Sequence, residues 1–326
     1  MKPQTNPEKG ATLLSVLVIV MLMSAAAVAA TDALARSIMI AKSSSARAET
    51  FWTARGAADA AGSYLSKVVD GVGAQLTEES ALLTEQITLP AGHGLVVLSI
   101  HDATNCFNLN ALADETGDAG VGEAQLSAYI DLLVAADLNQ AEAQSLAAKL
   151  ADWVDADNSS RTYGAEDGYY ASLAEPYRTP GGPLRNVSEL RAVAGYDADA
   201  LARVTGLVCL RPGMTQAAIN LNTLTADQAP LLTALFSTEL SSADAMTLID
   251  RRPSGGWDSV EAFLQEPVVN RIAPAARHDA AVSVASSFFT ADMDIGTGDL
   301  ATSYQALFGR AVGGNVELVS LVRRDF

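Results

Sequence analysis

The chain has 326 residues, with 38 acidic against 21 basic side chains and a net charge of −17, and is long enough for one or two domains with sizeable cores. Residues 1–60 hold six basic and four acidic side chains, so the remaining body stands at −19. A body that acidic repels phosphate backbones, which argues against a nucleic-acid partner, whereas clustered carboxylates attract divalent cations.

From the N-terminus, the first element is the uncharged run Ala11–Ala30, interrupted only by Thr12, Ser15 and Ser24. A helix of that length spans a hydrocarbon core of about 30 Å. Three readings stand. Ala27-Val28-Ala29 offers a signal-peptidase site, but the apolar core is longer than the usual stretch of about 7–15 residues. A plain single-pass anchor is the second. The third is a short polar leader ending in Lys9-Gly10 before a retained helix, the layout of type IV pilin-like precursors, which a dedicated peptidase cuts after the glycine. Residues 31–70 contain no proline and are rich in Ala, Ser and Arg, with Leu34, Ile38, Phe51, Leu65 and Val69 as bulky positions. That composition continues the helix beyond the membrane and favours a retained stem. Arg36, Lys42, Arg47 and Arg55 follow the apolar run, against the positive-inside rule. Orientation therefore rests on the leader and on the cysteines downstream.

Gly71–Ser80 is turn-like. Ile87–Leu89 and Leu95–Ile100 are β-branched runs bracketed by Pro90, Gly92 and Gly94, which predicts two strands of a hairpin. The C-terminus has the same character. Val282–Ile295 alternates around Phe288 and Phe289, Gly296–Asp299 turns, Tyr304–Ala311 follows, and Gly313–Asn315 turns before Val316–Val322. Strands at both ends of a helical middle imply one sheet whose strands are separated by an insertion.

The middle, 105–280, repeats itself. Phe107-Asn-Leu-Asn-Ala-Leu112 returns as Ile219-Asn-Leu-Asn-Thr-Leu224, Leu138–Leu146 as Leu240–Leu248, and Asn186–Leu190 as Ser259–Phe263, with Trp153 and Trp257 between. Asn, Ser or Thr stands before each apolar-periodic run, a helix N-cap signal. The unit is a small helix–turn–helix bundle present twice. It resembles the helix-hairpin-helix class, but it lacks a basic glycine-rich turn, which favours a scaffold over a DNA grip. Cys106 and Cys209, 103 residues apart, each precede a repeat motif. An even count in an exported chain favours one disulfide, with two buried free thiols as the alternative.

The first copy carries an insertion with Asp152, Asp155, Asp157, Glu166 and Asp167, five carboxylates in sixteen residues, interleaved with Asn158, Ser159 and Gly164. Calcium takes six to eight oxygens from irregular loops. Asp155, Asp157, Ser159 and Glu166 occupy positions 1, 3, 5 and 12 of an EF-hand count, although Ser160 replaces the required glycine. The alternative is a solvated acidic loop. Zinc would want His or Cys, and magnesium fewer protein ligands. For catalysis there is no His-Glu-x-x-His, no Gly-x-Ser-x-Gly and no phosphate loop, and His93, His101 and His278 are scattered. His101 and its neighbour Asp102 read as ordinary surface residues.

Taken together, Lys9-Gly10-Ala11 with its helix, Cys106-Phe-Asn-Leu-Asn-Ala-Leu, Asp152-Trp-Val-Asp-Ala-Asp, Gly164-Ala-Glu-Asp-Gly-Tyr-Tyr, Glu175-Pro-Tyr and Ile219-Asn-Leu-Asn-Thr-Leu resemble the minor pseudopilin K family of the type II secretion system, over essentially the whole chain. The resemblance implies an α+β fold: a long N-terminal helix packed on an antiparallel pilin-like sheet (71–104 and 281–326), with the helical repeats of 105–280 inserted between strands. It implies cleavage between Gly10 and Ala11, N-methylation, and calcium held by Asp155, Asp157, Glu166 and Asp167, with Asp152 a further candidate. It implies a non-enzymatic subunit at the tip of the periplasmic pseudopilus, anchored in the inner membrane by residues 11–30. Its implied partners are the minor pseudopilins I, J and H, the major pseudopilin G, the assembly platform and the prepilin peptidase. Most pilins carry Glu at the fifth mature position, but here that residue is Ser15, as befits a leading subunit with no subunit ahead to neutralise a charge. A membrane-anchored periplasmic binding module built on the hairpin repeats is the competing reading.

Overall fold

The computed structural model describes residues 8–72, 75–91, 94–113, 119–213, 216–237, 239–297, 300–311 and 314–324. Most of the expected leader (1–7), Gly92, His93, and residues 73–74, 298–299 and 313 of the expected turns lie outside the described residues. The chain forms two compact units, Met1–Gly56 and Ala57–Phe326.

Helix α1 runs Glu8–Val72. In the first unit its apolar side chains, Leu13 to Met23, are all at least half exposed. Among the described residues it is the one helix long and apolar enough to cross a membrane. The polar residues inside the run bond to their own helix. Ser15 Oγ donates to the Thr12 carbonyl at 3.0 Å, Ser24 Oγ to Val20 at 2.8 Å and Thr31 Oγ1 to Val28 at 2.8 Å. A hydroxyl satisfied in this way needs no second chain in lipid.

The second unit begins with the last turns of α1, followed by α2 (Ala81–Thr84), β1 (Gln86–Ala91) and β2 (Gly94–Asp102). Next come β3 (Phe107–Asn108), α3 (Ala119–Ala135), α4 (Gln140–Val154), α5 (Asp167–Ala171), α6 (Ala198–Val204), β4 (Val208–Cys209) and β5 (Ile219–Asn220). Then α7 (Ala229–Leu235), α8 (Ser242–Asp250), α9 (Val260–Leu264), β6 (Val282–Ser283), β7 (Phe288–Thr297), β8 (Leu300–Arg310) and β9 (Val316–Arg324) complete it. The sheet is antiparallel in the order β1-β2-β7-β8-β9, so the α+β fold with a helical insertion is observed. Pro90 is tolerated because, among the described residues, β1 pairs on one side only. Ala58, Ala61, Leu65 and Val69 of α1 are buried, as are Leu98, Ala291, Met293, Ala306 and Phe308 of the sheet. The helix lies close because its face is small: a side chain at Gly62 would come within 3.1 Å of Phe308.

The chain leaves the sheet at Asp102 and returns at Phe288. This corrects the expected strand start at Val282. Val282-Ser283 instead pairs in parallel with Ile219-Asn220, just as Phe107-Asn108 pairs with Val208-Cys209. Each repeat is thus a loop of helices closed at its base by a two-residue parallel bridge. The asparagines of the repeated motif explain its recurrence. Asn110 Oδ1 accepts from Leu184 N–H at 2.8 Å and its Nδ2 donates to Leu184 C=O at 3.1 Å. Asn222 does the same to Trp257, at 2.8 and 3.0 Å. A side-chain amide offers one donor arm and one acceptor arm, and here it substitutes for a strand partner. Gly256, at φ 77°, leaves room for that contact; any side chain there would sit 2.6 Å from the Asn222 amide. The clamp also corrects the sequence alignment. Leu184, not Trp153, is the counterpart of Trp257, and the N-caps Asn186 and Ser259 each follow two residues later. Asn222→Ala strands two buried backbone groups and is expected to cost about 2–4 kcal/mol, read as a lower urea midpoint at unchanged slope.

Cys106 and Cys209 are bonded, with Cα atoms 5.7 Å apart. In the second repeat the same register positions are Ala218 and Ser283, which form no such bond. Asp102 is not an ordinary surface residue. Its Oδ2 accepts from Thr223 Oγ1 at 2.6 Å, Ser286 Oγ at 2.6 Å and Asn220 Nδ2 at 3.1 Å, and its Oδ1 accepts from Thr104 N–H at 2.6 Å. As the last residue of β2 it meets donors from the second repeat and from Ser286, just ahead of the returning strand, which sequence distance concealed. His101 remains about half exposed. Beside this joint Arg211 is buried, donates to the carbonyls of Ala103 and Thr104 at 2.6 and 2.7 Å, and lies 4.2 Å over the Phe288 ring. Burial lowers its pKa to about 10, partly offset by Asp102, so it keeps its charge at neutral pH.

Candidate metal centre

Helix α4 starts on an Asn139 cap and ends at Val154, with Asp155 as C-cap. Asp152 falls on its buried face and is fully inaccessible, and Asp155 and Glu166 are also buried. Glu166 is the N-cap residue of α5, which brings the chain back after the loop. One oxygen from each of the three lies within 4.8 Å of the others. Carboxylates converge here beside a helix C-terminus, whose free carbonyls are already negative.

Part of that charge is met internally. Arg161 Nη1 bonds both Asp152, at 2.8 Å, and Asp155. Arg161 N–H and Ser160 Oγ each donate to Asp152 Oδ2 at 3.2 Å. The loop approaches so closely at Gly164 that a Cβ there would stand 1.9 Å from Asp152 Oδ2. Yet Asp155 Oδ1 and both oxygens of Glu166 are buried without a hydrogen-bond partner. Burial, and then the charges of Asp152, Asp155 and Asp157, push Glu166 up to about 7. Asp155 is also raised, by burial first, despite its bond to Arg161. Three unsatisfied oxygens on an all-carboxylate site fit a hard cation.

The remaining sequence candidates lie apart from this triad. Asp157 is exposed and its Oδ1 accepts from Ser159 N–H at 2.6 Å in a local turn. Asp167 Oδ1 accepts from Thr179 N–H at 2.9 Å and Thr179 Oγ1 at 3.0 Å, pinning the following loop. Of the EF-hand count only positions 1 and 12 converge, and Asp152, which lies outside that count, is the most deeply buried. Sequence reasoning missed the anchors of the insertion. Trp153, Tyr170 and Tyr177 pack edge to face or tilted, with centroids 5.0–6.2 Å apart. Tyr177 Oη donates to Ala192 C=O at 2.8 Å, and Tyr170 Oη accepts from Ala194 N–H at 3.2 Å. The aromatic residues in an otherwise polar insertion were the available signal.

A long apolar helix, whose last turns pack on an antiparallel sheet interrupted by two bridged helical repeats and a carboxylate centre, defines a pilin-like subunit with an inserted domain. Two domain profiles described as type II secretion system protein K match residues 105–213 and 219–285, coinciding with the two bridged repeats. The chain is 31% identical to type II secretion system protein K of Pectobacterium carotovorum subsp. carotovorum, over 90% of its own length and 89% of that protein. It is 35% identical to protein K of Klebsiella pneumoniae over 82% of each. Among solved structures, the GspK-GspI-GspJ complex from the enterotoxigenic Escherichia coli type 2 secretion system contains a chain matching 85% of this one and 98% of its own length, at TM-score 0.68 and 26% identity. The chain belongs to the type II secretion system protein K family.

Proposed function

We propose that this chain is a minor pseudopilin that starts and caps the pseudopilus of a type II secretion system, in complex with the pseudopilins I and J. The carrying observation is its likeness, over most of both chains, to a structure solved as a GspK-GspI-GspJ complex. Helix α1 serves as the inner-membrane anchor, with the acidic body on the periplasmic side, where Cys106 and Cys209 oxidise. Ser15, bonded within its own helix, suits a leading position because it asks nothing of a subunit ahead. The bulk of the helical insertion obstructs stacking above it.

In the same reading the prepilin peptidase cuts between Gly10 and Ala11 and methylates the new terminus. Asp152, Asp155 and Glu166 hold calcium, with Asp157 adding to the field from the rim. The ion supplies the positive charge that ties a self-repelling loop to α4; its role is structural.

The test is co-expression of the full chain with the I and J subunits of its own system, extraction from membranes, and affinity purification with intact-mass analysis. The expected result is a three-subunit complex containing a chain that starts at methylated Ala11. Gly10→Ala is expected to leave the precursor uncut. A chain recovered without I and J, or one starting near Thr31, overturns the reading.

A further inference from the structure

A cleft of about 630 Å³ lies between the body's sheet and the loops at the base of the first repeat. Its floor includes Thr290, Leu307 and Ser320, cross-strand neighbours in register. They alternate with the buried Phe289, Ala306 and Phe308 and therefore stand on the sheet face turned away from α1. Four arginines line the cleft, Arg185, Arg211, Arg323 and Arg324, and no carboxylate does so among the described residues. Two acids adjoin it: Asp292 is bonded to Arg324 at 3.1 Å and Gln305 at 2.7 Å, and Glu189 Oε1 accepts from the Arg185 and Asn186 N–H groups at 2.8 Å. Arg211 is buried and its Nη1 has no acceptor. Such a concentration of cations is unexpected in a chain at −17.

The cleft is bounded by β9, which supplies Ser320, Val322, Arg323 and Arg324 and has no strand on its outer side among the described residues. An open edge ending in arginines repels a second copy of itself. The same charge favours a strand of the opposite sign. We propose that the outer edge of β9 and the arginine cleft bind an extended acidic segment of a partner polypeptide, which adds a strand to the sheet and sets its carboxylates against Arg185 and Arg324. This rests on the assembly reading only in supposing that the chain has polypeptide partners.

The probe is a fluorescein-labelled nine-residue peptide alternating Glu with Thr, matched to the nine residues of β9, titrated against the full chain in detergent with anisotropy as readout. Saturable binding is expected, with none for the Lys-for-Glu peptide. The variant Arg185→Glu alters an exposed side chain and is expected to bind at least about tenfold more weakly while melting at the parent temperature. N-methylation of alternate peptide amides, which blocks strand pairing, is expected to abolish binding. Undiminished binding by the Arg185→Glu variant, equal binding of the Lys peptide, or full displacement by millimolar inorganic phosphate with the N-methylated peptide still bound overturns the proposal. Co-purification with I and J alongside absent peptide binding sinks this proposal alone. Peptide binding without co-purification sinks only the assembly reading.

Discussion

Removing calcium from the full chain with a chelator is expected to lower its melting temperature by about 5–10 °C. A ligand present at about one hundred times its dissociation constant stabilises the native state by about 2.7 kcal/mol. Each kcal/mol moves the midpoint of a domain of this size by roughly 2–4 °C. The expected gain has a specific origin. Glu166 and one oxygen of Asp155 are buried with no partner, while Arg161 already occupies Asp152 and the other oxygen of Asp155. Glu166→Gln separates the ion from the scaffold. It removes a charge opposed by its neighbours in the calcium-free protein, so that form should melt no lower than the parent, while the calcium-dependent rise disappears. Asp157→Asn, at an exposed position, should keep most of the rise. Gly164→Ala should lose both stability and response, because its methyl group takes the space of the Asp152 carboxylate. If calcium leaves the parent's midpoint unmoved, Arg161 is the site's whole counter-charge and Arg161→Gln becomes the most damaging change in the loop.

Replacing both bonded cysteines by serine should cost about 4–5 kcal/mol, as the chain-entropy model gives for a loop of about one hundred residues, or about 10–15 °C in midpoint. The loss should not be shared evenly. The bond closes the first repeat beside its parallel bridge, whereas the second repeat has its bridge without a disulfide. Hydrogen exchange distinguishes them. Phe107 N–H, bonded to Leu207 C=O at 2.8 Å, should lose protection in the serine variant, and Leu221 N–H, bonded to Ser283 C=O at 2.8 Å, should lose much less. Equal loss at both amides would show that the repeats open as one unit.

Much of this architecture was legible because it follows from local pattern. Proline-free Ala-rich sequence made α1 readable, and β-branched runs between turns made β1, β2, β8 and β9 readable. Asn139 and Ser241 cap α4 and α8 as their positions implied, accepting from Glu142 N–H and Asp244 N–H. Misreadings fell where a residue's partner lies far along the chain. Val282-Ser283 has strand character in any local window, yet its partner is β5. Asp102 looks like the exposed end of a strand, yet three of its donors lie more than a hundred residues away.

By itself the sequence determined the long apolar helix, the duplication and the presence of an acidic insertion, since each is set by composition and spacing along a short stretch, and its motifs carried the resemblance to the family. Only the tertiary structure decided which carboxylates share a centre, which residues the repeated asparagines clamp, and that arginines from a loop and the last strand line one cleft. Those outcomes depend on which side chains folding removes from water together. A carboxylate's charge counts most where burial leaves it few alternatives, and burial is a property of the packed chain.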